Sequence, residues 1–253
     1  MQVALVQLDT VWEWPEANHE KVRQLLSNAP PQPGALIVLP EMFASGFSMN
    51  VAAIADENHA TQQFLQQIAR EHQSYVVAGL VLRGSKLGRN CAVVIDPNGE
   101  IIANYCKLHP FSHGKEDQCY EPGDDIVTFR WRDFTVAPFV CYDLRFPEIF
   151  RDAVRRGANM FCVIANWPDT RVQHWVTLLQ ARAIENQAYV VGVNRVGSDP
   201  TLRYPGRSLV VDPMGRVVVD AGDREGVFYA DLNIDLVWDT RRRLPFLKDM
   251  RGD

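Results

Sequence analysis

CAVVIDPNGEIIANY, at residues 91–105, reads as an apolar strand, a Pro-Gly turn and a second apolar strand. SLVVDPMGRVVVDA, at residues 208–221, repeats that design. Both carry the pattern D-P-x-G, and Asp96 and Asp212 stand 212 − 96 = 116 residues apart. Each copy predicts a β-hairpin, because Pro sets the entry to the turn and Gly takes the backbone reversal that side chains resist. Hairpin signals are common enough for one such pair to arise by chance. Taken as a true repeat, it predicts two similar halves, each with a sheet and flanking helices, packed as one sandwich.

Outward from the hairpins, strand and helix signals alternate. VALVQL (3–8), ALIVLPE (35–41), YVVAGLVL (75–82), FTVAPFV (134–140), MFCVIAN (160–166) and AYVVGVN (188–194) are apolar runs suited to strands covered on both faces. Helices are expected at 15–28, where Pro15 and an acidic first turn suit a helix start, and at 61–72, where Phe64, Leu65, Ile68 and Ala69 share a face. Two more are expected at 147–156 and 171–185. Such alternation indicates an α/β fold. No Gly/Ser linker divides the chain, so a single domain is expected over residues 1–253, with a tail from about residue 233 that subunit contacts can use.

The chain has 253 residues and a formal net charge of −5, with 47% hydrophobic and 23% charged residues. That length supports a large core, and the composition excludes disordered and collagen-like classes. An acidic balance without a basic stripe speaks against a nucleic-acid partner. The one basic run, Arg241–Arg243, reads as a solvated tail or a subunit contact. The N-terminus lacks a basic region followed by a long apolar one, and no apolar run nears the ~20 residues of a membrane span. A cytoplasmic protein without membrane contact is therefore expected. Cysteines stand at 91, 106, 119, 141 and 162; the odd count and wide spacing suggest reduced thiols.

Three of the apolar runs end on polar residues: Glu41, Cys141 and Asn166. Sites in α/β sheets form beyond the carboxyl ends of strands. Alone, Cys141 reads as an inert buried thiol and Glu41 as a capping or loop carboxylate. Together, a carboxylate and a thiol at neighbouring strand ends make a base and a nucleophile. The segment YCKLHPFSHGKEDQCYEPGDD (105–125) adds Lys107, Glu116 and two histidines in a long loop, and long ordered loops tend to be functional. Cys106, His109, His113 and Cys119 would offer zinc two thiols and two imidazoles, but structural zinc sites group their ligands in tight pairs. No metal is expected.

LPEMFASGF (39–47), YCKLHPF (105–111) and CYDLRFPE (141–148) together resemble the nitrilase superfamily of carbon–nitrogen hydrolases. ANWPDTRVQHWVTLLQARAIENQAYVVGVNRVG (165–197) and GRSLVVDPMGRVV (206–218) extend the resemblance over nearly the whole chain, and it is strongest to the ω-amidase (2-oxoglutaramate amidase) branch. It implies a four-layer α-β-β-α sandwich of two similar halves. By position it implies Glu41 as general base, Lys107 as the cation facing the oxyanion, Cys141 as nucleophile and Glu116 as the second glutamate, which positions Lys107 and the substrate amide. It implies no cofactor, water as co-substrate, and a homodimer or larger homo-oligomer. Cys106, where many relatives carry a polar residue, is expected to point away from Lys107 and to pack.

Amide hydrolysis needs a nucleophile, a proton carrier and donors for the developing oxyanion. Glu41 would take the Cys141 proton and pass it to departing ammonia, with Lys107 and the Tyr142 backbone N–H facing the oxyanion. A thioester would follow, hydrolysed by water that Glu41 activates. Two carboxylates beside a thiolate raise its pKa, so the Lys107 ammonium must offset them. Trp167 is expected as a pocket wall, with Asn166, Arg171 and Arg195 as substrate-binding residues and Arg171 favoured to read a carboxylate. Asp143 and Arg145 are expected to fix the turn after Cys141. The alternatives are amidases for deaminated-peptide amides, N-carbamoyl amine hydrolases, nitrilases, a Cys141–His174 hydrolase, and a zinc-stabilised binding protein.

Overall fold

In the computed structural model, which describes residues 1–251, two six-stranded sheets pack face to face between layers of helix. The first half supplies β1 (Gln2–Gln7), β2 (Leu36–Val38), β3 (Tyr75–Arg83), β4 (Gly88–Ile95) and β5 (Ile101–Cys106). Helix α1 (Pro15–Asn28) joins β1 to β2, and α2 (Val51–Ile54) and α3 (Ala60–Glu71) join β2 to β3. The second half supplies β6 (Phe129–Trp131), β7 (Phe134–Val140), β8 (Met160–Ala165) and β9 (Tyr189–Asn194), with α4 (Pro147–Arg155) and α5 (Val172–Asn186) as the crossovers. A small ribbon, β10 (Val196–Ser198) and β11 (Arg203–Pro205), precedes β12 (Leu209–Val211) and β13 (Val217–Asp220). Then β14 (Gly226–Asp231) returns to pair antiparallel with β1, and α6 (Ile234–Arg243) follows.

The halves share one strand plan. Parallel strands β1, β2 and β3 correspond to β7, β8 and β9, and each triplet continues into an antiparallel hairpin, β4–β5 or β12–β13. Those hairpins are the D-P-x-G repeats. Both shift register just before the turn, at Val94/Ile95 and at Val210/Val211. In both, the turn aspartate accepts backbone N–H groups, Asp96 from Asn98 and Glu100, Asp212 from Met214 and Arg216. Gly99 and Gly215 adopt φ of 81° and 82°, the left-handed region glycine enters without penalty.

Between the sheets lies an apolar layer in which Leu5, Val38, Val77 and Val94 meet Val136, Cys162 and Ile164. On the outer face of the first sheet, Val22 and Leu26 of α1 and Leu65 and Ile68 of α3 cover Val6, Ile37 and Val76. On the second, α4 and α5 bury Phe150, Ala153, Trp175 and Leu179. This is the expected α-β-β-α sandwich, and covering both faces explains why the central strands are apolar throughout rather than alternating.

Two expectations need correction. Cys91 and Cys106 are joined by a disulfide; the β4–β5 register sets them directly opposite one another. Reduced thiols were expected from the odd count and wide spacing of the cysteines, which leave the register of the predicted hairpin out of consideration. Residues 234–251, expected as a tail with Arg241–Arg243 solvated or in a subunit contact, are packed at their start instead. Ile234 and Val237 enter the core, and the Arg241 guanidinium donates to the carbonyls of Gln187 and Ala158. That burial lowers the Arg241 pKa to about 10. Among the described residues, no helix is long and apolar enough to cross a membrane.

Candidate active site

Strand ends from both halves converge at one point between the sheets. After β2 the chain turns at Leu39–Pro40 and presents Glu41, and Met42 follows with φ +43°. After β7 it presents Cys141, whose φ of +47° is costly for a side-chain-bearing residue and is held by a short helical turn over Cys141–Arg145. Asp143 in that turn is fully buried and accepts the N–H of Val140, the Tyr105 hydroxyl and the backbone N–H of His109. It therefore ties the Cys141 turn to the end of β5, from which Lys107 emerges. Glu116 starts a short helical turn in the following loop.

Glu41, Lys107 and Glu116 form a buried cluster. The Lys107 ammonium donates to Glu41 Oε1 at 2.9 Å and to Glu116 Oε2 at 2.8 Å, with Glu116 Oε1 at 3.1 Å. The other Glu41 oxygen accepts the Asn166 backbone N–H at 2.9 Å, and Asn166 Nδ2 donates to the Glu41 carbonyl at 2.7 Å. Glu41 follows β2 and Asn166 follows its counterpart β8, so corresponding strand ends of the two halves are latched together. Phe111 N–H donates to Glu116 Oε2 at 2.6 Å, which folds the loop back onto the cluster.

Burial works to raise the Glu41 pKa, yet the Lys107 charge and the donors from Lys107, Asn90 and Asn166 outweigh it and hold the carboxyl below its ordinary value. For Lys107, burial works against the ammonium, but the Glu116 and Glu41 carboxylates hold its pKa well above normal. Burial and the facing Glu41 carboxylate push the Cys141 thiol well up, with Lys107 opposing. The resting site thus holds a protonated thiol beside an ionised carboxylate and a permanent cation. That arrangement suits proton transfer from Cys141 to Glu41 coupled to attack, not a standing thiolate.

A pocket opens onto Cys141 and Lys107, walled by Phe47, Phe111, Tyr142, Arg145, Trp167 and Arg171, with Leu202 also on its lining. Trp167 is the expected wall, its backbone clamped by Asn194 and its indole N–H donating to the Arg171 carbonyl. Arg171 lines the pocket, its guanidinium 5.6 Å from the centre of the Phe111 ring. Arg145 was expected only to brace the turn. It also lines the pocket, stacked 4.8 Å over Trp167. Asn166 lines the pocket too, but its amide N–H groups serve Glu41.

Arg195 is the site residue that the structure removes. It is fully buried, lies outside the pocket and donates to the carbonyls of Thr10 and Ser198, with Asp9 at 3.6 Å. Its position one residue past a strand end gave the right address and the wrong direction. The zinc and Cys–His alternatives fare no better. Cys106 is bonded to Cys91 and His109 Nδ1 meets Asp143, while His174 is exposed and contacts Arg145. Sequence reasoning missed Asn90, whose Nδ2 donates to both Glu41 Oε1 at 2.7 Å and Glu116 Oε1 at 2.9 Å. A polar residue in period with Ala92 and Val94 on a buried strand was the available signal.

The family model described as carbon-nitrogen hydrolase matches residues 2–242. The chain is 33% identical to a 2-oxoglutaramate amidase of Bacillus subtilis, over 99% of this chain and 98% of that protein. It is also 33% identical to the omega-amidase YafV of Escherichia coli, over 98% and 96% of the two chains. Among solved structures, a CN-hydrolase superfamily protein from Xanthomonas campestris, with an arsenic adduct in its active site, superposes with a TM-score of 0.94 at 32% identity, covering 100% of this chain and 98% of that one. A mutant amidase from Nesterenkonia sp., showing Michael addition of acrylamide at the active-site cysteine, gives 0.84 at 28% identity, covering 97% and 98%.

Proposed function

This chain belongs to the carbon-nitrogen hydrolase family, hydrolases of carbon–nitrogen bonds other than peptide bonds, and on that premise we propose that it releases ammonia from a small amide with a distal carboxylate, 2-oxoglutaramate or a close analogue. Glu41 takes the Cys141 proton as sulfur attacks the amide carbon. Lys107 and the Tyr142 backbone N–H face the oxyanion; Tyr142 lies in the first turn after Cys141, where N–H groups lack intrahelical acceptors. The tetrahedral adduct collapses, its C–N bond breaks, and ammonia leaves with the proton Glu41 had taken. The resulting thioester is cleaved by water deprotonated by Glu41, which yields the acid and restores the thiol. Glu116 holds Lys107 in place throughout.

The observation that carries the substrate reading is the pair of guanidinium groups in the pocket wall. The chain is acidic overall, yet Arg145 and Arg171 share the pocket with Cys141, and no carboxylate lies on its lining. A cation pair that no carboxylate neutralises within an aromatic-walled pocket selects a substrate anion. The apolar bodies of Trp167 and Phe111 then pack along a short carbon chain.

Arg171→Ala is expected to raise KM for 2-oxoglutaramate by roughly tenfold or more, the scale of one charge-assisted hydrogen bond, and to leave a neutral aliphatic amide of equal length nearly unaffected. Equal losses on both amides, or a wild-type preference for nitriles or uncharged amides, would refute the substrate assignment.

The proposal extends to a homodimer acting in the cytoplasm as one domain over residues 1–253. Ile184 and Phe246 leave apolar side chains in solvent near the α5 and α6 ends of the second half. β14, from the end of the chain, completes the N-terminal sheet, which favours a single folding unit. Sedimentation at micromolar concentration tests the dimer.

A further inference from the structure

We propose that Asn90 is a positioning residue that holds the two carboxylates of this site side by side in their charged form, by giving one side-chain N–H to each. The site contains two carboxylates and one ammonium, with Glu41 and Glu116 fully buried and Asn90 and Lys107 each 2% exposed. Lys107 reaches the same two oxygens as Asn90, Oε1 of Glu41 and Oε1 of Glu116. One cation shared by two buried carboxylates leaves a surplus negative charge. Such pairs relieve it by taking up a proton. A protonated Glu41 could not accept the thiol proton, and a protonated Glu116 would loosen its hold on Lys107.

An amide is suited to this position. It cannot ionise, and its nitrogen carries two N–H groups that can be divided between two acceptors. The reverse orientation would set Oδ1 against both carboxylates, so the network dictates which way the amide faces. Among the described residues Asn90 Oδ1 is buried without a protein partner, a local cost to the fold. Its strand neighbours on the same face, Ala92 and Val94, are apolar and belong to the core between the sheets. An apolar residue at position 90 would avoid the orphaned acceptor. A polar residue kept there at that cost points to the site rather than to packing. The backbone reinforces the placement, because Asn90 accepts the Lys107 N–H through its carbonyl at 2.8 Å.

The titratable groups that face the carboxylate pair are Lys107 and Cys141, with the phenols of Tyr120 and Tyr204 beyond them; both phenols are pushed up by burial and stay neutral over the working range. A donor to a carboxylate favours its charged form, so removing the Asn90 donors raises the pH at which Glu41 ionises. The acid limb of any Glu41-dependent reaction of Cys141 then moves upward in pH.

The test compares wild type, Asn90→Leu and Asn90→Asp. Leu has similar bulk and no donor; Asp has the same shape and replaces the donor with a third carboxylate. Three quantities are measured: the pH dependence of iodoacetamide alkylation at Cys141, read by peptide mass spectrometry; the pH dependence of kcat/KM on 2-oxoglutaramate; and the melting temperature. In Asn90→Leu the acid limb of both profiles should rise by about one pH unit or more, with KM changed less than about twofold because Asn90 does not line the pocket. In Asn90→Asp it should rise further. A wild-type acid limb in either folded variant overturns the proposal, whatever happens to the melting temperature. Only the turnover assay rests on the substrate reading above. If wild type ignores 2-oxoglutaramate, the alkylation profile still decides the role of Asn90.

Discussion

Gly79 sits on β3 directly beneath the base, and its N–H donates to the Pro40 carbonyl at 3.2 Å. A methyl group placed there would lie 2.2 Å from Met42 N and 2.6 Å from the Glu41 Cα. Ordinary contact begins at 3.4 Å, so the shortfall is about 1.2 Å, and it falls on backbone atoms that cannot swing aside. Gly79→Ala must therefore displace Glu41 by roughly 1 Å. The Lys107 and Asn166 donors to that carboxylate stand at 2.9 Å, and a shift of that size carries them out of hydrogen-bonding range. Misplacement of a catalytic group by about 1 Å costs on the order of 10²-fold in rate. Overpacking costs about 1–3 kcal/mol of stability, some 2–4 °C of melting temperature per kcal/mol in a chain of this size. The assay is kcat and KM for Gly79→Ala alongside its melting curve, at a temperature where the variant is folded. KM should change little, since Tyr142, Arg145, Trp167 and Arg171 come from the other half. A folded Gly79→Ala with wild-type kcat would refute the argument that backbone contact under Glu41 fixes the base.

Lys107→Ala should lower kcat by at least ~10²-fold, the scale of one lost oxyanion donor, and leave Cys141 alkylatable. Because Glu41 is held below its ordinary value of 4.5, its contribution to stability should be complete above that pH and lost as pH falls through the lower folded value; acid titration of the melting temperature checks this, and Glu41→Gln should flatten that part of the curve. Alkylation of denatured, unreduced protein should label Cys119, Cys141 and Cys162 only, with Cys91 and Cys106 joining after reduction; five labels before reduction would contradict the bridge.

What the sequence revealed and what it hid divide along a physical line. Apolar runs, Pro-led helix starts and the D-P-x-G turns are local, and the strands, the crossover helices and the equivalence of the halves followed from them. Glu41 and Cys141 were legible because each is a reactive residue at the end of an apolar run. The cross-strand pairing of Cys91 with Cys106 was within reach, since extending the hairpin outward from its turn brings them opposite. Directions were not. Arg145 and Arg195 both follow strand ends, of β7 and of β9, but one faces the pocket and the other is drawn into the carbonyls of Thr10 and Ser198. The pairing of β14 with β1 spans most of the chain, and no local signal announces it. Asn90 is a single amide in an apolar strand, and its meaning appears only when Glu41 and Glu116 are brought to it from elsewhere.

The central claim is that Cys141 forms a covalent acyl intermediate under the control of Glu41 and Lys107. Acid quenching during steady-state turnover, followed by peptide mass spectrometry, tests it directly. The account predicts an adduct equal in mass to the substrate less ammonia, on the peptide containing Cys141 and on no other cysteine. Cys141→Ala should carry no adduct and show no turnover, while Cys162→Ala, which alters a thiol buried within β8, should retain both. Turnover by Cys141→Ala, or an adduct on a different residue, would contradict the account.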